Sequence, residues 1–274
     1  MSNNETIDEN GTLETVTVVT AYYCIKSKHS PKQYNVWINN LLLRVGRNCK
    51  MVIFTSPDLV EYMNAVCQKN ALGASFTVIS MEMKEFKLLK RYPMKTWVQQ
   101  YAMDPQKSCG RTIECYLIWN SKLMFLKEAM ERTIYGSDKY IWIDIGSCRT
   151  TTNSTSKELE HFPRYENVSN DDKVDIVLLR PYSLEEMKQV IFYNTVHLGG
   201  MFGGNIKAIN RLYEIFYKAL DVYLCGKCFA GCDQQILSTC YVHNPEIFNI
   251  IIPDSKKGDV WFYLYHHWGC LKNV

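Results

Sequence analysis

The sequence predicts a single α/β domain whose mostly parallel central sheet is flanked by helices. Two observations lead to this fold class. Along the first half of the chain, short apolar and β-branched runs alternate with segments whose apolar residues recur at helical spacing, which is typical of parallel sheets. The chain also has 274 residues, 47% of them hydrophobic and 22% charged, which is enough to bury one large core without disulfides.

The first half of the chain supplies this alternation. Thr15–Ala21 is apolar or β-branched almost throughout, as expected for a strand buried on both faces. Ser56 and Pro57 form a helix start. The predicted elements are strands at Thr15–Ala21, Met51–Phe54, Phe76–Ser80 and Tyr140–Ile145, helices at Tyr34–Arg47, Leu59–Gln68 and Ile113–Arg132, and a long loop with short helices over Lys84–Met103.

The second half is predicted to complete the sheet and its helical layers. The predicted elements are a surface loop over Thr150–Asn170, strands at Asp175–Leu179, Ile247–Ile252 and Trp261–Tyr265, helices at Leu184–Phe192, Ile206–Leu220 and Asp233–Val242, and a glycine-rich turn within His197–Asn205. Residues 1–13 are polar, without the basic and apolar regions of a signal peptide, so we expect a flexible leader there.

The composition excludes several classes of function. Thirty-one lysines and arginines against 28 acids leave a net charge of +3, which is too small to predict nucleic-acid binding. No apolar stretch is long enough for a transmembrane segment. The eleven cysteines are an odd number in a chain without a signal peptide, so we expect mostly free thiols and a cytoplasmic protein.

The first candidate site residue is an aspartate at the end of the fourth predicted strand. Asp144 follows the apolar run Tyr140–Ile143 and therefore lies at the carboxyl edge of the sheet, where open α/β sheets bind ligands. A carboxylate there can hold a hard cation that bridges two phosphates. The alternative is an aspartate that caps the following loop.

Two later segments are also candidates. The glycines of Gly199–Gly204 (GGMFGG) let the backbone approach a ligand closely, or they form an ordinary strand-to-helix turn. Asp233 opens an apolar helix in Gly231–Gln235 (GCDQQ). It can act as a base or orient a sugar hydroxyl, or it is a plain capping acid at the helix N-terminus.

Histidines and cysteines in the last fifty residues suggest two metal sites. His266 and His267 lie among aromatic residues, where they can ligate a metal or contact phosphate, or pack as interfacial side chains. A second candidate is a zinc site, although its cysteine spacing matches no standard zinc motif and free thiols are the alternative. Its cysteines are Cys225, Cys228, Cys232 and Cys240.

The order of these segments resembles the GT-A glycosyltransferases and, more closely, the HtrL/YibB family. The matching stretches are Thr17–Tyr23 (TVVTAYY), Val52–Thr55 (VIFT), Ile118–Lys122 (IWNSK), Trp142–Gly146 (WIDIG) with Arg149, Gly199–Gly204 and Asp233–Gln235 (DQQ). The resemblance implies a GT-A-like domain over residues 14–274, with a nucleotide-binding half at 14–149 and an acceptor-binding half at 150–274. It also implies transfer of a sugar from a nucleotide-sugar donor, a UDP-linked hexose or xylose, to a glycan acceptor such as a surface polysaccharide or glycoprotein glycan.

The resemblance also implies roles for individual residues. Asp233 matches the catalytic base beside the acceptor hydroxyl, and Asp144 matches the first acid of the DxD motif. A divalent ion is then expected on Asp144 with His266 or His267. The implied donor-binding residues are Thr20, Ala21, Tyr22, Asn120, Lys122, Asp144, Ile145, Gly146 and Arg149. The implied acceptor-binding residues are Gly203, Gly204 and Trp268.

One position departs from the family pattern. Gly146 replaces the second acid of DxD, which weakens the case for tightly held Mn²⁺ or Mg²⁺. Lys122 and Arg149 can supply part of that charge, although an ion held by Asp144, a late histidine and the diphosphate is the favoured expectation. The alternatives from other classes are a catalytically inactive nucleotide-sugar-binding scaffold and a zinc-stabilised interaction protein.

Overall fold

A computed structural model describes residues 14–43, 45, 49–70, 74–149, 161–193, 195–257 and 259–270. They form one α/β domain around a seven-stranded sheet. The strands are β1 (Val16–Tyr22), β2 (Lys50–Thr55), β3 (Ser75–Ser80), β4 (Lys139–Trp142), β5 (Val174–Leu178), β6 (Leu198–Asn205) and β7 (Phe248–Ile251). The helices are α1 (Pro31–Leu42), α2 (Val60–Asn70), α3 (Lys87–Arg91), α4 (Met94–Met103), α5 (Ile113–Glu131), α6 (Ile206–Cys225), α7 (Asp233–His243) and α8 (Leu264–Gly269).

The sheet is mostly parallel, which confirms the predicted fold class. Its strand order is β3-β2-β1-β4-β6-β5-β7. The strands β3, β2, β1 and β4 are mutually parallel, and β5 is parallel to β7. Only β6 among the described strands runs antiparallel to its neighbours, β4 and β5. The carboxyl ends of β1, β2 and β4 therefore meet at one edge of the sheet.

Both faces of the sheet are buried because alternate side chains enter two separate cores. On β1, Val18 and Tyr22 enter one core, whereas Val19 and Ala21 enter the other. Helices α1, α2 and α8 close the first of these cores, and α5, α6 and α7 close the second. Burial on both faces explains why β1 is apolar or β-branched along almost its whole length.

Helix α1 begins earlier than predicted. Ser30 caps it: its hydroxyl accepts a hydrogen bond from the Gln33 backbone, while the Gln33 side chain accepts one from the Ser30 backbone. This reciprocal capping box, with Pro31 as the first helical residue, sets the start. The predicted end at Arg47 lies outside the described residues, as do residues 1–13 of the predicted leader and 150–160 of the predicted loop.

The glycine-rich segment is strand β6, so the predicted turn is wrong. A Cβ atom on Gly203 would lie 2.3 Å from Ile141 Cγ2, and one on Gly204 would lie 2.6 Å from the carbonyl oxygen of Lys173. Glycine is needed here because neighbouring chain segments approach too closely for a side chain. The glycines therefore serve close packing within the sheet rather than chain reversal.

Two other predicted elements also differ. The predicted helix over Leu184–Phe192 shrinks to a 3₁₀ turn at Glu186–Lys188. The backbone at the end of this segment forms hydrogen bonds with side chains of other helices instead of helical ones. The Phe192 N–H donates to the Tyr223 hydroxyl, and the Val190 carbonyl accepts from the Thr239 hydroxyl. The strand predicted at Trp261–Tyr265 is instead a 3₁₀ turn over Val260–Phe262, followed by α8. Its cap is Asp259, whose carboxylate accepts from the Trp261 N–H at 2.9 Å.

The composition predicts mostly free thiols and no transmembrane segment. All eleven cysteines are free, which confirms the predicted free thiols. Across the described parts of the chain, we find no helix with the length and apolar character that crossing a membrane requires.

We expect Gly203→Ala to lower the free energy of unfolding by about 1–3 kcal/mol, the usual cost of overpacking a core. The added methyl group would overlap Ile141, whose Cγ2 and Cα lie 2.3 and 2.9 Å from the Cβ position. Gly199→Ala on the same strand is the matched control, because its nearest neighbour, Val177 Cβ, is 3.5 Å away. Urea denaturation measures both, and equal losses would contradict the packing argument.

Candidate active site

A cleft of about 570 Å³ opens beyond the carboxyl ends of β1 and β4. This is the edge at which ligands bind in open α/β sheets. Several residues singled out in the sequence line it, namely Ala21, Tyr22, Lys122, Asp144, Ile145, Gly146, Arg149 and Asp233. Segments that are far apart in the sequence therefore meet in a single concave site.

A lysine between two aspartates lies at the centre of this site. Lys122 Nζ is 3.0 Å from Asp144 Oδ1 and 2.9 Å from Asp233 Oδ2, and it donates to the carbonyl oxygen of Gly200 at 3.1 Å. Three oxygens therefore surround the ammonium, one through a hydrogen bond and two through ion pairs. The side chains of Lys122 and Asp233 are 5% and 6% exposed, whereas Asp144 is 42% exposed. Asp144 is thus the acid that faces the solvent in the cleft.

Burial and charge act in opposite directions on this cluster. Burial lowers the pKa of Lys122, but the two carboxylates outweigh it and leave the pKa above its usual range. Burial is also the largest effect on Asp233: it raises the pKa, Asp144 raises it further, and Lys122 only partly opposes them. Lys122 is therefore protonated at neutral pH, and Asp233 takes up a proton more readily than an exposed aspartate.

The chain after β4 holds Asp144 in place. The Trp142 indole donates to Asp144 Oδ1 at 3.0 Å, and the Ser147 N–H and hydroxyl both donate to the Asp144 carbonyl. The Ser147 hydroxyl also contacts the Tyr265 hydroxyl at 2.5 Å. Helix α8 is thereby connected to the loop that carries Asp144.

A buried amide pair positions Asp233 at the first residue of α7. The Asn120 side chain donates to the carbonyl oxygens of Ala230 and Gly231 at 3.3 and 3.2 Å. The Gln100 side chain accepts from the Ala230 N–H. Asn120 is fully buried and does not line the cleft. In the structure, Asn120 anchors the segment that leads to Asp233, and its contact with the sugar donor stays a prediction.

Arg149 forms a cationic wall of the cleft. Its guanidinium carbon lies 4.8 Å from the ring centre of Trp37 and 5.2 Å from that of Phe262. Its Nε donates to the carbonyl oxygen of Gly146 at 3.2 Å. The two rings and this hydrogen bond restrict the side chain, so its charge is pre-organised at the site.

Three further basic residues, which no sequence motif indicated, also line the cleft. Lys28 and His29 lie in the segment after β1, and Arg111 precedes α5. The pKa of His29 is lowered, first by burial and then by the positive charges of Arg149 and Lys28. Neither segment carries a recognisable motif, and only the fold brings these side chains to the cleft.

The remaining predicted site residues do not line the cleft; they are Thr20, Asn120, Gly203, Gly204, His266, His267 and Trp268. Thr20 is fully buried in β1. Trp268 is also fully buried, and its indole donates to Asp175 Oδ2 at 2.9 Å. The structure therefore does not bring Thr20, Gly203, Gly204 or Trp268 to the wall of the cleft, and their expected sugar-donor and acceptor contacts stay predictions.

The described side chains do not fit a tightly held divalent ion. Asp144 Oδ1 is already engaged by Lys122 and Trp142. A Cβ atom on Gly146 would lie 2.7 Å from Tyr34 Cε1, so the ring occupies the space of a second acid. In the part of the chain that the structure describes, no three His, Cys, Asp or Glu side chains gather to hold a metal, and this includes the four cysteines proposed for zinc.

The α/β fold of this chain is similar to that of a solved glycosyltransferase. The structure is similar to the crystal structure of mouse xyloside xylosyltransferase 1 in its apo form, with a TM-score of 0.51 and 14% identity over 86% of this chain and 85% of that one. A family model described as "Bacterial protein of unknown function (HtrL_YibB)" matches residues 14–269, so the chain belongs to the HtrL_YibB family. It is also 22% identical to Protein HtrL of Escherichia coli (strain K12) over 227 residues, which cover 79% of this chain and 75% of that protein.

We expect Gly146→Ala to lower the free energy of unfolding by about 1–3 kcal/mol. The new methyl group would lie 2.7 Å from Tyr34 Cε1 and 3.1 Å from Trp37 Cε3. Adding Tyr34→Leu removes the nearer ring, so the double variant should lose less stability than the two single losses combined. A double-mutant cycle by chemical denaturation measures this coupling, and strictly additive losses would contradict the contact.

Proposed function

We propose that this protein is a glycosyltransferase that moves a sugar from a nucleotide-sugar donor to a hydroxyl group of a glycan acceptor. The Asp144–Lys122–Asp233 cluster in the cleft is the observation that supports this proposal most directly. It places one exposed acid and one buried acid at the carboxyl edge of a glycosyltransferase-like fold. Two acids in such different environments suit two different roles.

The donor side of the cleft is proposed to lie along the end of β1. Tyr22 lines the cleft, and its ring centre is 5.9 Å from that of Tyr34 and 6.4 Å from that of Tyr62. Tyr22 and Tyr34 both line the cleft, where an aromatic ring can stack on a nucleotide base, as expected for a UDP-linked hexose or xylose. The diphosphate would then extend towards the basic residues of the cleft and Asp144.

The acceptor side is proposed to lie at Asp233. In an inverting transfer, the acceptor oxygen bonds to the anomeric carbon while the bond from that carbon to the diphosphate oxygen breaks. Asp233 takes the hydroxyl proton, and the diphosphate leaves with the bonding electron pair. The raised pKa of Asp233 suits this role, because a stronger base accepts the proton more readily. In a retaining transfer, Asp233 would only orient the hydroxyl group.

A second candidate function is a nucleotide-sugar-binding scaffold without catalysis. The replacement of the second DxD acid by Gly146 favours it. This candidate predicts that donors bind and that the wild-type protein does not turn them over.

Thermal shift against UDP, GDP, CMP and their sugar conjugates tests donor binding first. A ligand at a hundred times its dissociation constant adds about 2.7 kcal/mol of stability. We then expect Asp233→Asn to keep the nucleotide-induced shift but to lose about 100-fold or more of donor turnover, measured as release of the nucleoside diphosphate. Asp58→Asn, at an exposed position outside the cleft, is the control.

Three outcomes separate the candidates. Turnover that needs Asp233 supports the base role. Turnover that survives Asp233→Asn contradicts that role, and binding without turnover in the wild type favours the scaffold. Absence of a shift with every nucleotide at millimolar concentration would refute the donor site.

We also expect kcat/KM to fall at acidic pH. A base works only when it is deprotonated, so activity is lost as pH decreases through the folded-state pKa of Asp233, which is raised above the usual value for aspartate. Residual activity of Asp233→Asn should lack this acidic limb. A profile from about pH 4 to 8 measures it, and an identical limb in the variant would assign the titration to another group.

A further inference from the structure

We propose that this site binds a nucleoside diphosphate without a divalent metal ion, because Lys122 fills the position between the two acids and Arg149 with Lys28 supplies the charge that the diphosphate needs. The inference rests on the proposed function, since it concerns the donor of the same cleft. It reverses the expectation of Mn²⁺ or Mg²⁺ drawn from the family resemblance.

Lys122 Nζ occupies the position at which a metal ion would bridge the two acids. Its contacts to Asp144, Asp233 and Gly200 measure 2.9–3.1 Å, so the ammonium already fills the space between the two acids. A Mg²⁺ ion needs oxygens at about 2.0–2.1 Å in an octahedral arrangement. The Lys122 side chain is 5% exposed, so its ammonium is almost enclosed by these oxygens at the wall of the cleft.

The charge of Lys122 also opposes a divalent ion at this position. One ammonium leaves the two carboxylates with a single net negative charge, and a divalent ion at the same place would repel the ammonium directly. The ammonium and a metal ion are therefore alternatives at this position.

Lys28, His29 and Arg149 form a basic corner on the cleft wall. The guanidinium is fixed between the rings of Trp37 and Phe262, and such a planar fork suits two phosphate oxygens at once. Neither Lys28 nor Arg149 forms an ion pair with a carboxylate of the described residues. Their charges are thus available to a ligand that brings its own negative charge.

Calorimetric titration of the full chain with UDP, GDP and CDP tests the inference, once in excess EDTA and once in millimolar MnCl₂. We expect the dissociation constant of the preferred nucleotide to agree within about twofold between the two conditions. Arg149→Gln should weaken binding about tenfold or more in both, and Mn²⁺ should not restore it. Arg211→Gln is the matched control, because this exposed arginine lies outside the cleft and pairs with Glu246.

Binding that needs Mn²⁺, or that Mn²⁺ tightens tenfold or more, would overturn the inference and leave the proposed function standing. Absence of binding by every nucleotide in both conditions would overturn both. Equal affinities for Arg149→Gln and Arg211→Gln would remove Arg149 from the site and overturn the inference in that form.

A second variant tests the exchange between ammonium and metal ion. Lys122→Ala leaves the two carboxylates without their cation, so Mn²⁺ alone should raise the melting temperature of this variant and not that of the wild type. A rise in the wild type would contradict the inference. The calorimetric comparison uses the wild-type chain, so it decides the matter even where Lys122→Ala does not fold.

Discussion

The buried ammonium of Lys122 is the interaction on which the cleft depends. It joins α5 to three other parts of the fold: the loop after β4 through Asp144, β6 through Gly200, and the start of α7 through Asp233. Burying an isolated charge costs several kcal/mol, and only well-placed opposite charges and acceptors offset it. The three oxygens around Nζ do so together, so each of these segments is held where the charge requires it.

This constraint explains features that look independent in the sequence. A Cβ atom on Gly200 would lie 3.2 Å from Lys122 Nζ and 3.3 Å from Asp144 Oδ2, so a side chain there would crowd the ion pairs. Asn120 is two residues before Lys122 on α5, and it bonds to the backbone just before Asp233. One helix therefore supplies both the cation and the anchor that brings the second acid to it.

Much of the fold and part of the site could be predicted from the sequence, because local patterns carry that information. The apolar run that ends near Trp142 fixes the edge at which Asp144 lies, and Asp233 marks a helix start. Strand β6 could not be predicted in this way, because its glycines are required by the close approach of Ile141 and Lys173, which are distant in the sequence. Arg111 and Lys28 were missed for a related reason: a side chain that reaches a cleft through tertiary packing leaves no periodic signal.

The missing acid at Gly146 and the cation at Arg149 belong to one packing unit. Without a side chain at position 146, the ring of Tyr34 fills that space and packs against Trp37, with ring centres 5.3 Å apart. Trp37 in turn supports the guanidinium of Arg149, whose Nε bonds back to the carbonyl oxygen of Gly146. An acid at this position would displace the aromatic pair and with it the support of the arginine. The exclusion of a side chain at position 146 and the placement of the Arg149 charge therefore follow from the same packing.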